Sequence, residues 1–196
     1  VRSAFPNADI KGCFFHVSQS VVRKVNSVGK KTEYEFDADI RLKLRSLAAL
    51  AFVPVNDVKH VFGALAESIP DDPDFNEVLT YFSSTYVEGA IGRNPQFPIK
   101  MWNQYEVAAE KSPKMTYCSE KYHNNLNSLF HGTHPSVWLL FDGLERDITC
   151  HKLAYEKTKI RKPAAFNKKT ENFHTQISVV VEGYEKEYDK LQYLKR

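Results

Sequence analysis

Apolar residues recur along most of this chain at steps of three and four, the period that gives a helix one buried face. Val17, Val21, Val22, Val25 and Val28 share such a face and predict a helix over 16–28, with Gly29 as its stop. Asp39 is placed to cap a helix over 40–52 that Pro54 ends. Asn56 is placed to cap a second helix, with Val58, Val61, Phe62 and Leu65 in phase. Asp74 heads a third, carrying Phe75, Val78, Leu79, Phe82 and Tyr86. Residues 88–98 hold two Gly and two Pro and read as a loop. A helix over 100–110 is anchored by Trp102 and Tyr105. Ser119 is placed to cap a helix over 120–130, residues 131–135 make a turn, and a further helix runs to about Lys157. Lys159 to Lys169 reads as a basic loop, and 171–194 as a last helix that Gly183 interrupts. The exception to this period is the run Ile10 to Phe15, short, apolar and aromatic, which predicts one buried strand feeding the first helix. One strand needs pairing partners, so either strands are hidden in the helical text or the rest of a sheet lies before Val1.

Composition narrows the class. The 196 residues are 42% hydrophobic and 26% charged, which is ordinary globular usage rather than disorder. No apolar run approaches the ~20 residues that span a bilayer. Val1 is followed by no signal peptide, and a chain opening on Val-Arg-Ser-Ala-Phe-Pro reads as part of a longer protein. Cys13, Cys118 and Cys150 are odd in number and far apart, which favours a reducing, non-secreted setting over a disulfide scaffold. The net charge of +3 is unevenly spread: residues 1–60 carry 10 basic and 6 acidic groups, 61–149 carry 6 and 12, and 150–196 carry 11 and 6. Basic ends suit a phosphate backbone, though solvated helix faces give the same count.

Three groups of residues have the types that chemistry needs. Glu120, His123, Asn124, Asn127 and His131 form a polar stripe on one side of their helix, opposite Tyr122, Leu126, Leu129 and Phe130. A carboxylate and an imidazole three apart can touch one metal or one phosphate; a wet helix face has the same pattern. Cys13 and His16 are half of a zinc-ligand set by spacing, with His131 and His134, or Cys118 and His123, as second pairs. A buried thiol with a hydrogen-bonded imidazole is the plainer account. Asp37 with Asp39, and Asp71, Asp72 and Asp74, are the close acid clusters, and each precedes a helix, where acids serve as caps. No glycine-rich phosphate loop, nucleophile elbow or Cys-x-x-Cys pair occurs.

The run from Phe5 to Gln19, with Cys13 and His16 as a Cys-x-x-His signature, resembles the segment after the second catalytic aspartate in Mutator-like (MULE) transposases. Leu47–Pro54, Tyr81–Val87 and Trp102–Tyr105 are similar to that family's helical insertion. Glu120, then Tyr122-His123-Asn124, then His134-Pro-Ser-Val-Trp138 resemble its late motifs in order and spacing. The likeness covers most of residues 5–185. It departs from the pattern at Lys114-Met115-Thr116-Tyr117, where the family carries Arg-Thr-Asn-Asn.

The resemblance implies a mostly α chain with one or few strands: the C-terminal part of an α/β ribonuclease H-like domain including its helical insertion. Residues 1–30 would be the last strand and helix of the incomplete core, 31–111 the insertion, 112–157 helices returning to the core, and 158–196 a basic loop and C-terminal helix. It implies that Glu120 is the third carboxylate, and so a metal ligand, of a two-metal site for DNA cleavage and strand transfer, with His123 and Asn124 in support. Mg²⁺ or Mn²⁺ would serve the intact parent; both aspartates would lie before Val1, so no ion is expected to bind tightly to this chain alone, and alone it would not cut DNA. DNA is the expected partner, contacted through Lys157, Lys159, Arg161, Lys162, Lys168 and Lys169, with a homo-oligomer possible in the parent and no membrane. A nuclear or cytoplasmic protein follows. Two readings stay open beside it: a non-enzymatic helical module that binds DNA or protein, and a small zinc-stabilised fold built on Cys13 and His16.

Overall fold

A computed structural model describes residues 6–7, 11–109, 117–130, 135–160, 168–187 and 189–195, and of these leaves the side chains of 117–121, 123 and 168–174 undescribed. Eleven α-helices are formed among them, and no strand. The chain divides into two compact units, residues 1–113 with 174–196, and residues 114–173.

The first unit begins with α1 (Phe14–Ser27), α2 (Lys31–Phe36) and α3 (Ala38–Ala49), whose end tightens into a 3₁₀ turn over Leu50–Phe52. Val17, Val21 and Val25 of α1 are buried at steps of four. They face a core built by Leu44 and Leu47 of α3, Val61 and Leu65 of α4 (Val58–Ser68), and Val78 and Phe82 of α5 (Pro73–Phe82). Acid caps set two of these helix starts. Asp37 accepts from the backbone N–H of Asp39 at 2.9 Å and Ile40 at 3.1 Å, and Asp72 accepts from those of Asp74 and Phe75. Pro73 fills the first position of α5, where no donor is needed. Asp72 also accepts from Lys30 at 3.0 Å; that bond holds its carboxyl below, and the Lys30 ammonium above, their ordinary values.

The aromatic centre of the unit lies where α5 widens into a π-helical turn, Ser83–Val87. Phe82 sits 5.1 Å from the Tyr86 ring and 6.1 Å from that of Trp102. Trp102 ends the short helix α6 (Ile99–Trp102) and is 1% exposed. Its indole donates to the Tyr86 carbonyl at 3.0 Å. Asn103, with extended backbone, and Gln104 then lead to α7 (Tyr105–Ala109). Both are buried and both are satisfied. Asn103 donates to the Val53 carbonyl at 2.7 Å and accepts from the Tyr105 N–H. The Gln104 side chain donates to the Gly12 carbonyl at 3.1 Å, and its backbone N–H to Ala51 at 2.7 Å. Every buried side-chain nitrogen or oxygen among the described residues has a partner.

The chain returns to this unit along α10 (Lys168–Glu182), a 3₁₀ turn at Tyr184–Lys186 and α11 (Lys190–Leu194). Ser178 donates to the Ala108 carbonyl, Tyr184 to the Asp57 carboxylate at 2.9 Å, and Tyr193 to the Phe52 carbonyl at 2.6 Å. The second unit holds α8 (Tyr117–Ser128), α9 (Val137–Ile160) and α10 as far as residue 173.

Several boundaries differ from the sequence reading. The strand over 10–15 is absent from its described part: Lys11 to Cys13 have no regular structure and Phe14 and Phe15 already belong to α1. A short aromatic run has no period that separates a strand from a buried helix end. Phe14 packs on Phe52 at 5.0 Å, and one backbone bond from Gly12 to Met101 stands where a ladder would be. Asp37 and Asp72 cap in place of Asp39 and Asp74, since a cap must be extended and precede the first turn. Asp57 occupies the cap position expected of Asn56, and its carboxylate goes to Tyr184 instead. The helix expected over 100–110 breaks at Asn103, α9 runs past Lys157 to Ile160, and the last helix starts at Lys168 and is interrupted after Glu182 at Gly183. Helix α2 was not foreseen.

Two outcomes test this unit. Gly89 has φ +88°, and a methyl group there would overlap the Arg93 carbonyl. Gly89→Ala therefore lowers unfolding free energy by about 2 kcal/mol or more in urea titration. Burial, and for Tyr184 the bond to Asp57, raises the Tyr184 and Tyr193 phenols well above the ordinary tyrosine range. A group raised in the folded state contributes stability in full below its unfolded value, ~10 for tyrosine, and loses it as pH climbs toward the folded value. Alkaline titration above about pH 10 then shows tyrosinate absorbance and helix loss rising together.

Candidate functional site

The candidate site is built on the helical hairpin of the second unit. Helix α8 is continuous from Tyr117 to Ser128. Glu120, His123, Asn124 and Asn127 thus recur along one helix at i, i+3, i+4 and i+7, and lie on one side of it. Asn124 and Asn127 are exposed. The opposite side is tied to α9. Tyr122 donates its phenol to the Asp147 carboxylate at 2.8 Å, and its ring stands 5.7 Å from that of His151. The other Asp147 oxygen lies 3.4 Å from His151 Nε2. By accepting the phenol's hydrogen bond, the Asp147 carboxylate raises the Tyr122 pKa above its ordinary value.

Two further features fix the hairpin. An added methyl at Gly143 would overlap the Phe130 ring, so only glycine lets that ring reach the α9 backbone. Ser136 starts α9 by accepting from the N–H of Leu139 on its hydroxyl and of Leu140 on its carbonyl. On this stripe Asn124 and Asn127 are open to a polar ligand or a charged partner.

The sequence-predicted residues fall as follows. Glu120 and His123 have helical backbone in α8, and their side chains lie outside the described ones. Cys13 and His16 belong to the first unit, at the head of α1 and not at a strand end. Cys13 is half-buried and His16 exposed, beside Phe15. Among the described residues no three His, Cys, Asp or Glu side chains converge to hold a metal ion. The pairs offered for zinc, His131 with His134 and Cys118 with His123, lie outside the described side chains. The basic loop is corrected in part: Lys157 and Lys159 are in α9, exposed, and Lys159 is paired with Glu156 at 2.8 Å and lies over the Tyr155 ring. A helix continues there because Thr158 and Lys159 bond within their own turn. Arg161 and Lys162 lie outside the described residues, and Lys168 and Lys169 open α10.

The sequence reading missed the Tyr122, Asp147 and His151 cluster. Its signal was present: Asp147 and His151 are four apart on a helix, the spacing at which an acid meets an imidazole. Only the hairpin brings Tyr122 to them. Compared with known proteins, the chain matches no family model, no curated protein and no solved structure.

Tyr122→Phe removes the bond to Asp147, and Gly143→Ala drives Phe130 out. Hydrogen exchange is expected to quicken in α8 and α9 in both variants, with the α1, α3 and α5 amides unchanged.

Proposed function

We propose that this chain is the C-terminal part of a Mutator-like transposase catalytic domain, in which Glu120 supplies the third carboxylate. The observation that carries the reading is the unbroken α8, which sets Glu120, His123 and Asn124 on one side while Tyr122 holds the other to α9. A ligand helix in a nucleotidyl-transfer site needs that division, because the carboxylate must be held still by groups that do not compete for the cation. That the described residues from 31 to 109 form helices joined by loops, with no strand, supports the insertion assignment. The order of the motifs from Cys13 to Trp138 supports the family.

In the parent, Mg²⁺ or Mn²⁺ would supply nucleophile activation and leaving-group stabilisation. The two aspartates that would complete the site belong to the parent, and no step of strand chemistry is assigned to this chain alone. Its own part is to present one carboxylate and a basic stretch, Lys157, Lys159, Arg161, Lys162, Lys168 and Lys169, to a DNA backbone. Work on chromosomal DNA would place the parent in the nucleus. No helix among the described residues is long and apolar enough to cross a membrane.

A second reading, a non-enzymatic helical module that binds DNA or protein, is favoured by the exposed apolar residues of α9, Trp138 and Phe141 among them. The parent sequence separates the two: aspartates at the ends of two preceding strands belong to the enzyme.

In a parent that carries those aspartates, Glu120→Gln is expected to lower Mn²⁺-dependent strand transfer by about 100-fold or more with an unchanged melting temperature. Unchanged transfer ends the role assigned to Glu120. If all six basic residues meet phosphates, log affinity for duplex DNA falls against log salt with a slope near about −5. A flat response removes the DNA contact.

A further inference from the structure

Helix α9 is 24 residues long, and much of its apolar surface is exposed. Val137, Phe141, Leu144, Ile148, His151 and Tyr155 follow one another at alternating steps of four and three. That is the repeat of a coiled-coil seam, which a lone helix has no reason to keep. Val137, Phe141, Ile148 and Tyr155 are each more than half exposed, and Leu144 is half-buried. Tyr122 of α8 lies beside the His151 ring, so α8 flanks the seam without closing it.

Charge selects the occupant. Residues 137–148 carry three acids and one base, and residues 149–160 three bases and one acid. One flank of the seam repeats every seven residues as Trp138, Glu145, Lys152 and Lys159. In an antiparallel pair the same flank of each helix meets. A second α9 laid antiparallel sets Glu145 opposite Lys152 of the second copy, twice by symmetry, and each such pair is an ion pair. A parallel pair instead sets acidic half on acidic half. The acid its Lys152 would need, Asp147, is held by Tyr122 and His151.

We propose that α9 is a homodimerisation helix, whose occupant is the α9 of a second copy, antiparallel, with the two α8–α9 hairpins forming a two-fold four-helix bundle. The assignment stands independently of the transposase reading.

Sedimentation equilibrium of the 196-residue chain tests it. The expected result is a dimer at tens of micromolar that weakens as salt rises. Lys152→Glu alone weakens the dimer roughly tenfold, since it sets acid against acid at two symmetric places. Lys152→Glu with Glu145→Lys restores it to within a few-fold, because the pair is exchanged and not lost. Phe141→Ser with Ile148→Ser gives a monomer of unchanged helicity. A wild-type chain that is monomeric throughout overturns the proposal. So does a dimer indifferent to the two serines, which would form elsewhere, or a charge exchange as weak as the single reversal.

Discussion

The larger unit depends on the corner at Trp102, Asn103 and Gln104. A buried amide without partners costs several times what a hydrogen bond gains, so such a residue is tolerated only where the surroundings satisfy it. Here those surroundings are three distant parts of the chain, the Gly12 carbonyl, the backbone at Ala51 and Val53, and the Tyr86 carbonyl that takes the Trp102 indole, with the N–H of Tyr105 next along. The corner therefore fixes how the ends of α3 and α5 and the start of α1 lie together. Apolar burial alone would permit these helices to slide. The directional bonds to backbone carbonyls do not.

The C-terminal segment closes the unit by the same logic. Tyr184 and Tyr193 pack edge to face at 4.9 Å, and each ends its phenol on an acceptor from the segment between α3 and α4, Asp57 and the Phe52 carbonyl. A tyrosine there combines an apolar body with one oriented donor. The smaller unit uses lighter means: a ring seated over Gly143, and a phenol and an imidazole sharing one carboxylate. Most of its large apolar side chains in α9 stay in contact with water. A hairpin of two helices has too little facing surface to bury them, which is why an interaction surface is found in this unit.

Much of the helical plan was legible because it is written in a local period. Val17, Val21 and Val25 of α1, the Val58–Leu65 face of α4, and Phe75, Val78 and Phe82 of α5 lie buried where their spacing placed them, with Val22 and Leu79 half-buried. The unbroken helix that carries the polar stripe of α8 was legible too, with Asn124 and Asn127 exposed on it. The short run before Phe14 was misread because neither a strand nor a helix end leaves a period in so few residues. The cap positions shifted by two because Asp37 and Asp39, like Asp72 and Asp74, are chemically alike, and the backbone angle at each chooses between them.

By itself, then, the sequence determined the helical class, which apolar residues share a helix face and the order of the chemical groups, for these are consequences of side-chain spacing along one axis. The tertiary structure alone decided which distant groups meet: Gly12 with Gln104, Asp57 with Tyr184, Tyr122 with Asp147. It also decided that the seam of α9 faces water. A hydrogen bond between residues far apart in the chain leaves no period to read, because it depends on where two elements come to rest and not on what each is made of.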